Sequence, residues 1–218
     1  MEVLVVGNTA YVDDDFCAKA FPGDHVKVVA AAEARRDEPS PHASWKELLQ
    51  HLDQAYEFDR VVYLSNYLTP HIDSVGDIEL LRSVFRACMG RRIQLLYIAG
   101  PAGAEGAADA AGRTGKGIIA HAANDLCRYY AAREGVQTKI LRVPFLYTAS
   151  AALEDPFLVP LFDACSTGSV ALQGAEDAAF PLLCAEELAV LIRRIFDSWD
   201  ASFETLDVAD AFHHTAGE

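Results

Sequence analysis

The chain has 218 residues, 51% apolar and 23% charged, a composition typical of a globular protein that buries a full core, with room for a small additional lobe. Its net charge of −14 opposes binding to phosphate backbones and anionic membranes, because such binding depends on Lys and Arg. We therefore expect neither nucleic acid nor a membrane as a partner.

The start of the chain and its cysteines bear on the compartment. Glu2–Val6 enters an apolar run without a basic segment or a cleavage site, so no secretory signal is visible and we expect a cytoplasmic protein. The cysteines are scattered without C-x-x-C spacing, which predicts buried thiols rather than disulfides or a zinc site. They are Cys17, Cys88, Cys127, Cys165 and Cys184.

Strand-like and helix-like patterns alternate along the first two thirds of the chain, and this alternation predicts a parallel sheet. The strand-like runs are Val3–Val6, His25–Ala30, Arg60–Ser65, Ile93–Ala99 and Thr138–Val143. The helical patterns are Trp45–Tyr56 behind a capping box at Ser44–Glu47, Asp77–Cys88 and Ile118–Glu134. The Gly- and Ala-rich stretch Gly100–Gly117 is longer than most ordered connections, which indicates a surface loop or a lid.

After Pro144 the alternation weakens. Helical patterns cover Pro156–Cys165 and Ala185–Trp199, and Ser169–Leu172 and Phe203–Val208 have strand patterns. The last residues, 210–218, resemble a turn that enters a helix without completing it. This ending predicts that the chain is one part of a longer protein.

The turn after the first strand departs from a known pattern. Nucleotide-binding α/β domains begin with an apolar strand and Gly-x-x-small-x-x, where helix amides face a pyrophosphate. Here the turn has Gly7, Ala10 and then Asp13, followed by Asp14 and Asp15. A carboxylate about 4 Å from a phosphate at an effective dielectric of about 20 costs roughly 4 kcal/mol, on the order of a thousandfold in affinity. The alternative is that these aspartates only cap and charge the helix N-terminus.

Later segments support a family resemblance. An active-site helix, a fifth strand and the loop near a nicotinamide resemble the segment Asn124–Gly135 and its continuation Thr138–Tyr147. A late strand and helix are similar to Phe180–Leu191. In this order the chain resembles the extended short-chain dehydrogenase/reductases, the NAD-dependent sugar-nucleotide epimerase/dehydratase family. The resemblance implies an α/β fold with a Rossmann-like doubly wound parallel sheet. It also implies a main domain over residues 1–150 and a small C-terminal lobe over 151–218.

The catalytic groups of that family are missing from their expected positions. The family uses a Tyr-x-x-x-Lys pair, whose lysine lowers the pKa of the tyrosine that acts as general acid/base, and a Ser or Thr after the fourth strand. By resemblance, Lys116 and Ala120 occupy the tyrosine and lysine positions, and the loop beginning at Ala99 has no hydroxyl. No Tyr-x-x-x-Lys occurs anywhere in the chain. We therefore predict no catalytic residue at any of the three positions.

The resemblance also locates a cofactor cleft, whose expected residues are Gly7, Asn8, Thr9, Ala10, Tyr11, Ser65 and Pro144. Because the turn has lost two glycines, we predict that no cofactor binds there, and that NAD or NADP binds only if the chain is an active enzyme. After the second strand, Glu33, Arg35 and Arg36 stand near the place for a ribose or an NADP phosphate. The arginines are suited to an anionic ligand, but a solvated charge pair is the simpler interpretation.

Other polar residues near the expected cleft leave alternatives open. His121 is one helical turn from Asn124 and Asp125, which permits an acid/base role, although a helix-surface histidine without a function is commoner. His213 and His214 lack the partners that a metal site needs, so no metal is predicted. The remaining polar candidates are Asn66, Thr114 and Lys116.

Three functional hypotheses follow. The first is a catalytically degenerate member of the family that serves binding, sensing or scaffolding. The second is an NAD(P)-dependent epimerase, dehydratase or reductase acting on a nucleotide sugar or a similar small substrate. The third keeps the cleft for another anionic ligand, bound through Arg35, Arg36 or Lys116.

The resemblance further implies a homodimer that pairs the helices at 77–88 and 118–134. The candidate interface residues are Leu81, Phe85, Tyr129 and Tyr130, with core packing as their competing role. A protein partner or a following domain in the same chain is the alternative expectation.

Overall fold

The computed structural model describes residues 1–7, 9, 11–30, 58–65, 74–100, 115–147, 179–180, 182–208 and 214–215. The strands are β1 (Glu2–Gly7), β2 (His25–Ala30), β3 (Arg60–Leu64), β4 (Gln94–Ala99), β5 (Gln137–Arg142), β6 (Phe145–Tyr147), β7 (Ala179–Phe180), β8 (Leu182–Cys184), β9 (Phe203–Asp207) and β10 (His214–Thr215). The helices are α1 (Asp14–Ala20), α2 (Ser74–Cys88), α3 (Gly115–Glu134) and α4 (Ala185–Asp197). Within these residues, no helix is both long and apolar enough to cross a membrane.

Six strands form one sheet in the order β2-β1-β3-β4-β5-β9. Every neighbouring pair is parallel, and Val5 at the centre of β1 lies opposite Val28 of β2 and Val62 of β3. The predicted parallel sheet and the Rossmann-like fold are therefore confirmed.

Helices cover both faces of the sheet. α1 and α4 pack against one face with Val3 and Val5, and α2 and α3 pack against the other with Leu4 and Val6. Because the central strands β1, β3 and β4 are buried on both faces, they have continuous apolar runs rather than alternating polar and apolar residues. This burial is why the sequence pattern located the strands so closely.

The strand order reverses at β1, which lies between β2 and β3. The chain leaves β1 for α1 on one face and leaves β3 for α2 on the other. In open α/β sheets a crevice forms where consecutive connections diverge in this way, at the carboxyl ends of the strands. The crevice is bordered here by Gly7 and Ser65.

The C-terminal part of the chain contributes to the main sheet. Residues 185–207, which the sequence placed in the C-terminal lobe, supply α4, packed on α1, and β9, paired with β5. β6 pairs with β8, and β7 pairs antiparallel with β10. The prediction of a turn into a helix at 210–218 is wrong for His214–Thr215, because that pair is a strand held by β7.

Several other predicted elements lie outside the described residues. They are the helix at 45–56, the helix at 156–165, the strand at 169–172 and the part of the Gly- and Ala-rich stretch at 101–114. The last three residues of that stretch, 115–117, are an exception, because α3 begins at Gly115.

Lys139 anchors the edge strand β9 to β5. Its side chain is buried and its Nζ lies 2.7 Å from the carboxylate of Glu204 and 3.2 Å from that of Asp200. Burial lowers the pKa of Lys139, but the hydrogen bonds to both carboxylates outweigh it, and the net shift of the pKa is upward. The ammonium group therefore stays charged and depends on these two partners.

The contact between Lys139 and Glu204 predicts that substitutions of the two residues lower the free energy of unfolding by different amounts. Glu204→Gln weakens the strongest partner of a buried ammonium, and we expect it to lower the free energy of unfolding by about 1–2 kcal/mol. Lys139→Met leaves only carboxylates that reach water, so its expected cost is below about 1 kcal/mol. Urea unfolding followed by circular dichroism measures both. A larger loss for Lys139→Met would contradict this account.

Candidate cofactor cleft

Four of the expected cleft or catalytic positions lie at the carboxyl ends of neighbouring strands. Gly7 ends β1, Ser65 follows β3, Ala99 ends β4 and Pro144 follows β5. Backbone hydrogen bonds hold these ends together, since the Ser65 N–H donates to the Ile98 carbonyl at 3.1 Å. The structure thus brings these positions to one edge of the sheet, where the crevice lies.

Gly7 is required by the close approach of β3. Its φ is +109°, which disfavours any other residue, and a Cβ atom there would overlap the carbonyl oxygen of Leu64 and lie 3.0 Å from its carbonyl carbon. The glycine is therefore needed for strand packing with or without a nucleotide. Its retention alone is not evidence for a cofactor.

Asp13 caps α1 from within the chain. Its carboxylate Oδ1 accepts a hydrogen bond from the Phe16 backbone N–H at 2.8 Å, and its backbone is extended as an N-cap requires. Asp14 and Asp15 occupy the first turn, and Asp15 pairs with Lys19 at 2.6 Å. The capping interpretation of Asp13 is confirmed, and three carboxylates surround the helix end that a pyrophosphate would approach.

The other residues of the turn differ in their placement. Tyr11 is buried in the core between the sheet and α1 and α4, with 8% of its surface exposed. The Thr9 carbonyl accepts a hydrogen bond from the Val12 N–H at 2.9 Å, so Thr9 belongs to a tight turn. Asn8 and Ala10 lie outside the described residues.

The three positions that the resemblance assigns to catalytic groups lie on β4 and α3. Ala99 is buried at the end of β4, and Lys116 and Ala120 belong to α3, although the Lys116 side chain lies outside the described part. On the same helix, His121 is half-buried and Asn124 is buried. Helix α3 therefore presents no tyrosine or lysine at 120, 121 or 124.

The remaining candidates can be placed only in part. His214 belongs to β10. Among the residues that the structure describes, no three His, Cys, Asp or Glu side chains are grouped to hold a metal ion. The candidates outside the described residues are Glu33, Arg35, Arg36, Asn66, Thr114 and His213.

One buried polar pair escaped sequence reasoning. The Tyr63 hydroxyl donates to the Asp77 carboxylate at 2.5 Å and is 2.9 Å from the Asp77 carbonyl, so β3 is tied to the first turn of α2. Burial and the Asp77 charge raise the pKa of Tyr63 well above its usual value, so the phenol stays protonated. A tyrosine inside an apolar strand was the only sequence signal for this pair.

Two of the five thiols confirm the expected burial. Cys88 and Cys127 are fully buried, and burial raises the pKa of Cys88 to about 12. Cys17 and Cys184 are only partly buried, and all four are free thiols. Cys165 lies outside the described residues.

Three of the four residues predicted for a dimer interface belong to the core. Leu81 and Phe85 of α2 are buried, as is Tyr130 of α3, and the rings of Phe85 and Tyr130 stack with centroids 4.6 Å apart. The interface prediction is wrong for these three because they hold the two helices together. Tyr129 alone of the four is exposed, with 53% of its surface accessible.

Comparison with known proteins identifies the fold. No family model and no curated protein sequence matches the chain. Solved structures do match. WbmF from Bordetella bronchiseptica in complex with NAD+ matches with a TM-score of 0.70 and 14% identity, over 99% of this chain and 75% of that one. The dTDP-glucose 4,6-dehydratase from Bacillus anthracis in complex with NAD matches with a TM-score of 0.72 and 12% identity, over 99% of this chain and 77% of that one. UDP-glucuronic acid 4-epimerase from Bacillus cereus, in complex with UDP-glucuronic acid and NAD, matches with a TM-score of 0.71, 12% identity and 99% and 80% coverage. The chain therefore shares its Rossmann-like α/β fold with these three proteins.

Proposed function

We propose that this chain is a catalytically degenerate epimerase/dehydratase-type domain that serves binding, sensing or scaffolding. One observation carries the proposal: Ala99, Lys116 and Ala120 stand where the resemblance expects a hydroxyl, a tyrosine and a lysine, and no Tyr-x-x-x-Lys exists in the chain. Without the phenol and its lysine, no group remains at these positions to move a proton to or from a sugar hydroxyl. Fold without these groups does not support the reaction.

The capped N-terminus of α1 supports the same proposal, because it opposes binding of the cofactor. A dinucleotide needs the free amides and the positive dipole at the helix N-terminus. Here the Phe16 amide already donates to Asp13, and the charge of Asp13 opposes a phosphate. The pyrophosphate would have to displace a carboxylate that the chain itself supplies.

The alternative function is an active NAD(P)-dependent epimerase, dehydratase or reductase for a nucleotide sugar. Its support is the shared fold with proteins that bind NAD and, in one case, UDP-glucuronic acid. It would require that other groups replace the lost hydroxyl, tyrosine and lysine. Cofactor binding separates the two proposals.

We expect that the purified chain releases no heat on calorimetric titration with NAD+, NADH, NADP+ or NADPH. The double variant Asp13→Gly with Ala10→Gly restores the glycines and removes the charge, and we expect it to gain binding by up to about a thousandfold. Micromolar binding by the native chain would overturn the proposal and favour the enzyme.

The matched control is Asp13→Asn. Asparagine caps a helix about as well as aspartate but carries no charge. We expect Asp13→Asn to gain less binding than the double variant, because its side chain still accepts the Phe16 N–H. Equal binding by both variants would show that the charge alone closes the site.

A further inference from the structure

The buried pair of Tyr63 and Asp77, called the Tyr63/Asp77 pair below, has more hydrogen-bond acceptors than protons while Asp77 is charged. The Tyr63 hydroxyl oxygen lies 2.5 Å from the Asp77 carboxylate oxygen and 2.9 Å from the Asp77 backbone carbonyl oxygen. Both distances are those of hydrogen bonds between oxygen atoms. A phenol has one proton to donate, and a charged carboxylate has none. In the charged state one proton therefore serves two contacts.

A second proton, on the Asp77 carboxyl group, satisfies both contacts. The protonated carboxyl group donates to the Tyr63 oxygen, and the Tyr63 hydroxyl donates to the Asp77 backbone carbonyl. Burial favours the same state, because Tyr63 is fully buried, Asp77 is only 5% exposed, and removal from water disfavours a charged carboxylate. Tyr63 keeps its own proton, since burial raises the pKa of the phenol. Asp77 is therefore the member of the pair that gains or loses a proton.

The ionisable groups around the pair come from three other positions of the same layer. Besides Asp77, those that act most strongly on Tyr63 are Tyr97 of β4, whose ring centroid lies 5.8 Å away, and Cys127 of α3. Burial raises the pKa of Cys127 far above its usual value, so this thiol is neutral. Farther along the helices, Glu79 of α2 is exposed and His121 of α3 is half-buried. A charge on Asp77 is thus added to a buried layer of phenol and thiol groups.

The Tyr63/Asp77 pair joins the end of β3 to the beginning of α2. Tyr63 is the penultimate residue of β3, and Asp77 lies in the first turn of α2. Since α2 follows β3 along the chain, its first turn lies at the carboxyl edge of the sheet, where the crevice is bordered by Ser65. The protonation of Asp77 therefore acts on the border of the crevice.

We propose that the Tyr63/Asp77 pair is a proton-operated latch. It holds the first turn of α2 against β3 when Asp77 is protonated in mildly acidic solution, and it loosens that turn when Asp77 loses the proton. The latch gives the chain a response to acidity that needs no ligand. The inference goes beyond the proposed function and does not depend on it, because neither residue is among the expected cleft or catalytic positions.

The latch predicts that stability falls as the pH rises through the titration of Asp77. The folded chain holds a proton on Asp77 that the unfolded chain has already released, so each rise in pH favours unfolding until the folded chain releases the proton as well. The ordinary aspartate pKa, about 3.9, sets the lower end of this range. An Asp77 that served only as a charged acceptor would give the opposite sign, since its stabilisation would be lost on acidification.

Asp77→Asn tests the sign, because asparagine is neutral and its amide can donate to the Tyr63 oxygen as a protonated carboxyl group does. The test is urea unfolding of the whole chain at pH 5 and pH 8, followed by circular dichroism. We expect Asp77→Asn and the native chain to have equal urea midpoints at pH 5, and Asp77→Asn to have the higher midpoint at pH 8. The matched control is Asp125→Asn, an exposed aspartate on α3, whose difference from the native chain should be the same at both pH values.

Hydrogen exchange of the native chain, followed by mass spectrometry, tests the latch without a substitution. After correction for the pH dependence of intrinsic exchange, the protection of residues 74–81 should fall by about tenfold from pH 5 to pH 8, because one unit of pKa difference changes a local opening equilibrium tenfold. The protection of residues 185–192 in α4 should not change. The proposal is overturned if Asp77→Asn is no more stable than the native chain at pH 8, or if the protection of the two segments keeps a constant ratio.

Discussion

Gly7→Ala should lower the free energy of unfolding by more than about 3 kcal/mol, measured by urea unfolding. Two costs combine at this position. The backbone has a φ of +109°, and the added methyl group would overlap the carbonyl oxygen of Leu64 in the neighbouring central strand. Relief of that overlap requires β1 and β3 to separate, which would also weaken their parallel pairing.

Gly23→Ala is the matched control for the backbone conformation. Gly23 also has a positive φ, +81°, but no atom lies within 4 Å of the position of its Cβ. Its expected cost is only the conformational one, about 1–2 kcal/mol. If Gly7→Ala were no more destabilising than Gly23→Ala, the close approach of β3 would not be the reason for the glycine.

Phe85→Ala should have the second large effect, a loss of about 3–5 kcal/mol. Its ring is fully buried between α2, α3 and the sheet and stacks on Tyr130 at 4.6 Å. The neighbouring side chains belong to two helices and a strand, so the cavity left by the ring cannot close by a local movement. Urea unfolding measures this loss. If the free energy of unfolding falls while its dependence on urea concentration is unchanged, the substitution has lowered the stability of the native state.

Tyr129→Ala is the matched control for Phe85→Ala. Tyr129 contacts the same partner, Tyr130, edge to face at 5.4 Å, but it is exposed. Its expected cost is below about 1 kcal/mol. A cost equal to that of Phe85→Ala would mean that burial of the Phe85 ring is not the reason for the large effect.

The stability of this fold does not depend on the chemistry of the cleft. The largest predicted effects come from Gly7 at the contact of two strands and Phe85 at the contact of two helices, not from Ala99, Lys116 and Ala120, the positions that the resemblance assigns to catalytic groups. A chain can therefore lose proton-transfer groups and still keep its core and its outer surfaces.

Local periodicity was sufficient to locate most of the described elements. The five strand-like runs agree with β1 to β5 within one residue at each end, because each run is rich in β-branched or large apolar residues. The helix predicted at 185–199 ends at Asp197, where the Ser198 backbone leaves helical geometry and its hydroxyl donates to the Arg194 carbonyl. Apolar patterns predict where a helix lies better than where it stops.

Elements held by distant partners were not predictable in this way. β10 has two residues and exists because β7 pairs with it across more than thirty residues of sequence, and β6 has three residues paired with β8. Such short strands have too few side chains to produce a period. The sequence pattern likewise could not separate Tyr129 from Tyr130, which are adjacent residues of the same type. Packing against α2 decides that Tyr130 lies in the core.

The sequence by itself determined the parallel α/β architecture, the absence of any Tyr-x-x-x-Lys pattern and the carboxylates at the first turn, because each of these depends only on local pattern or on residue identity. Only the tertiary structure decided that Asp13 caps its own helix, that Gly7 is needed by Leu64 and that Tyr63 bonds to Asp77. These facts depend on distances between residues far apart in the chain, and such distances are set by packing around the sheet.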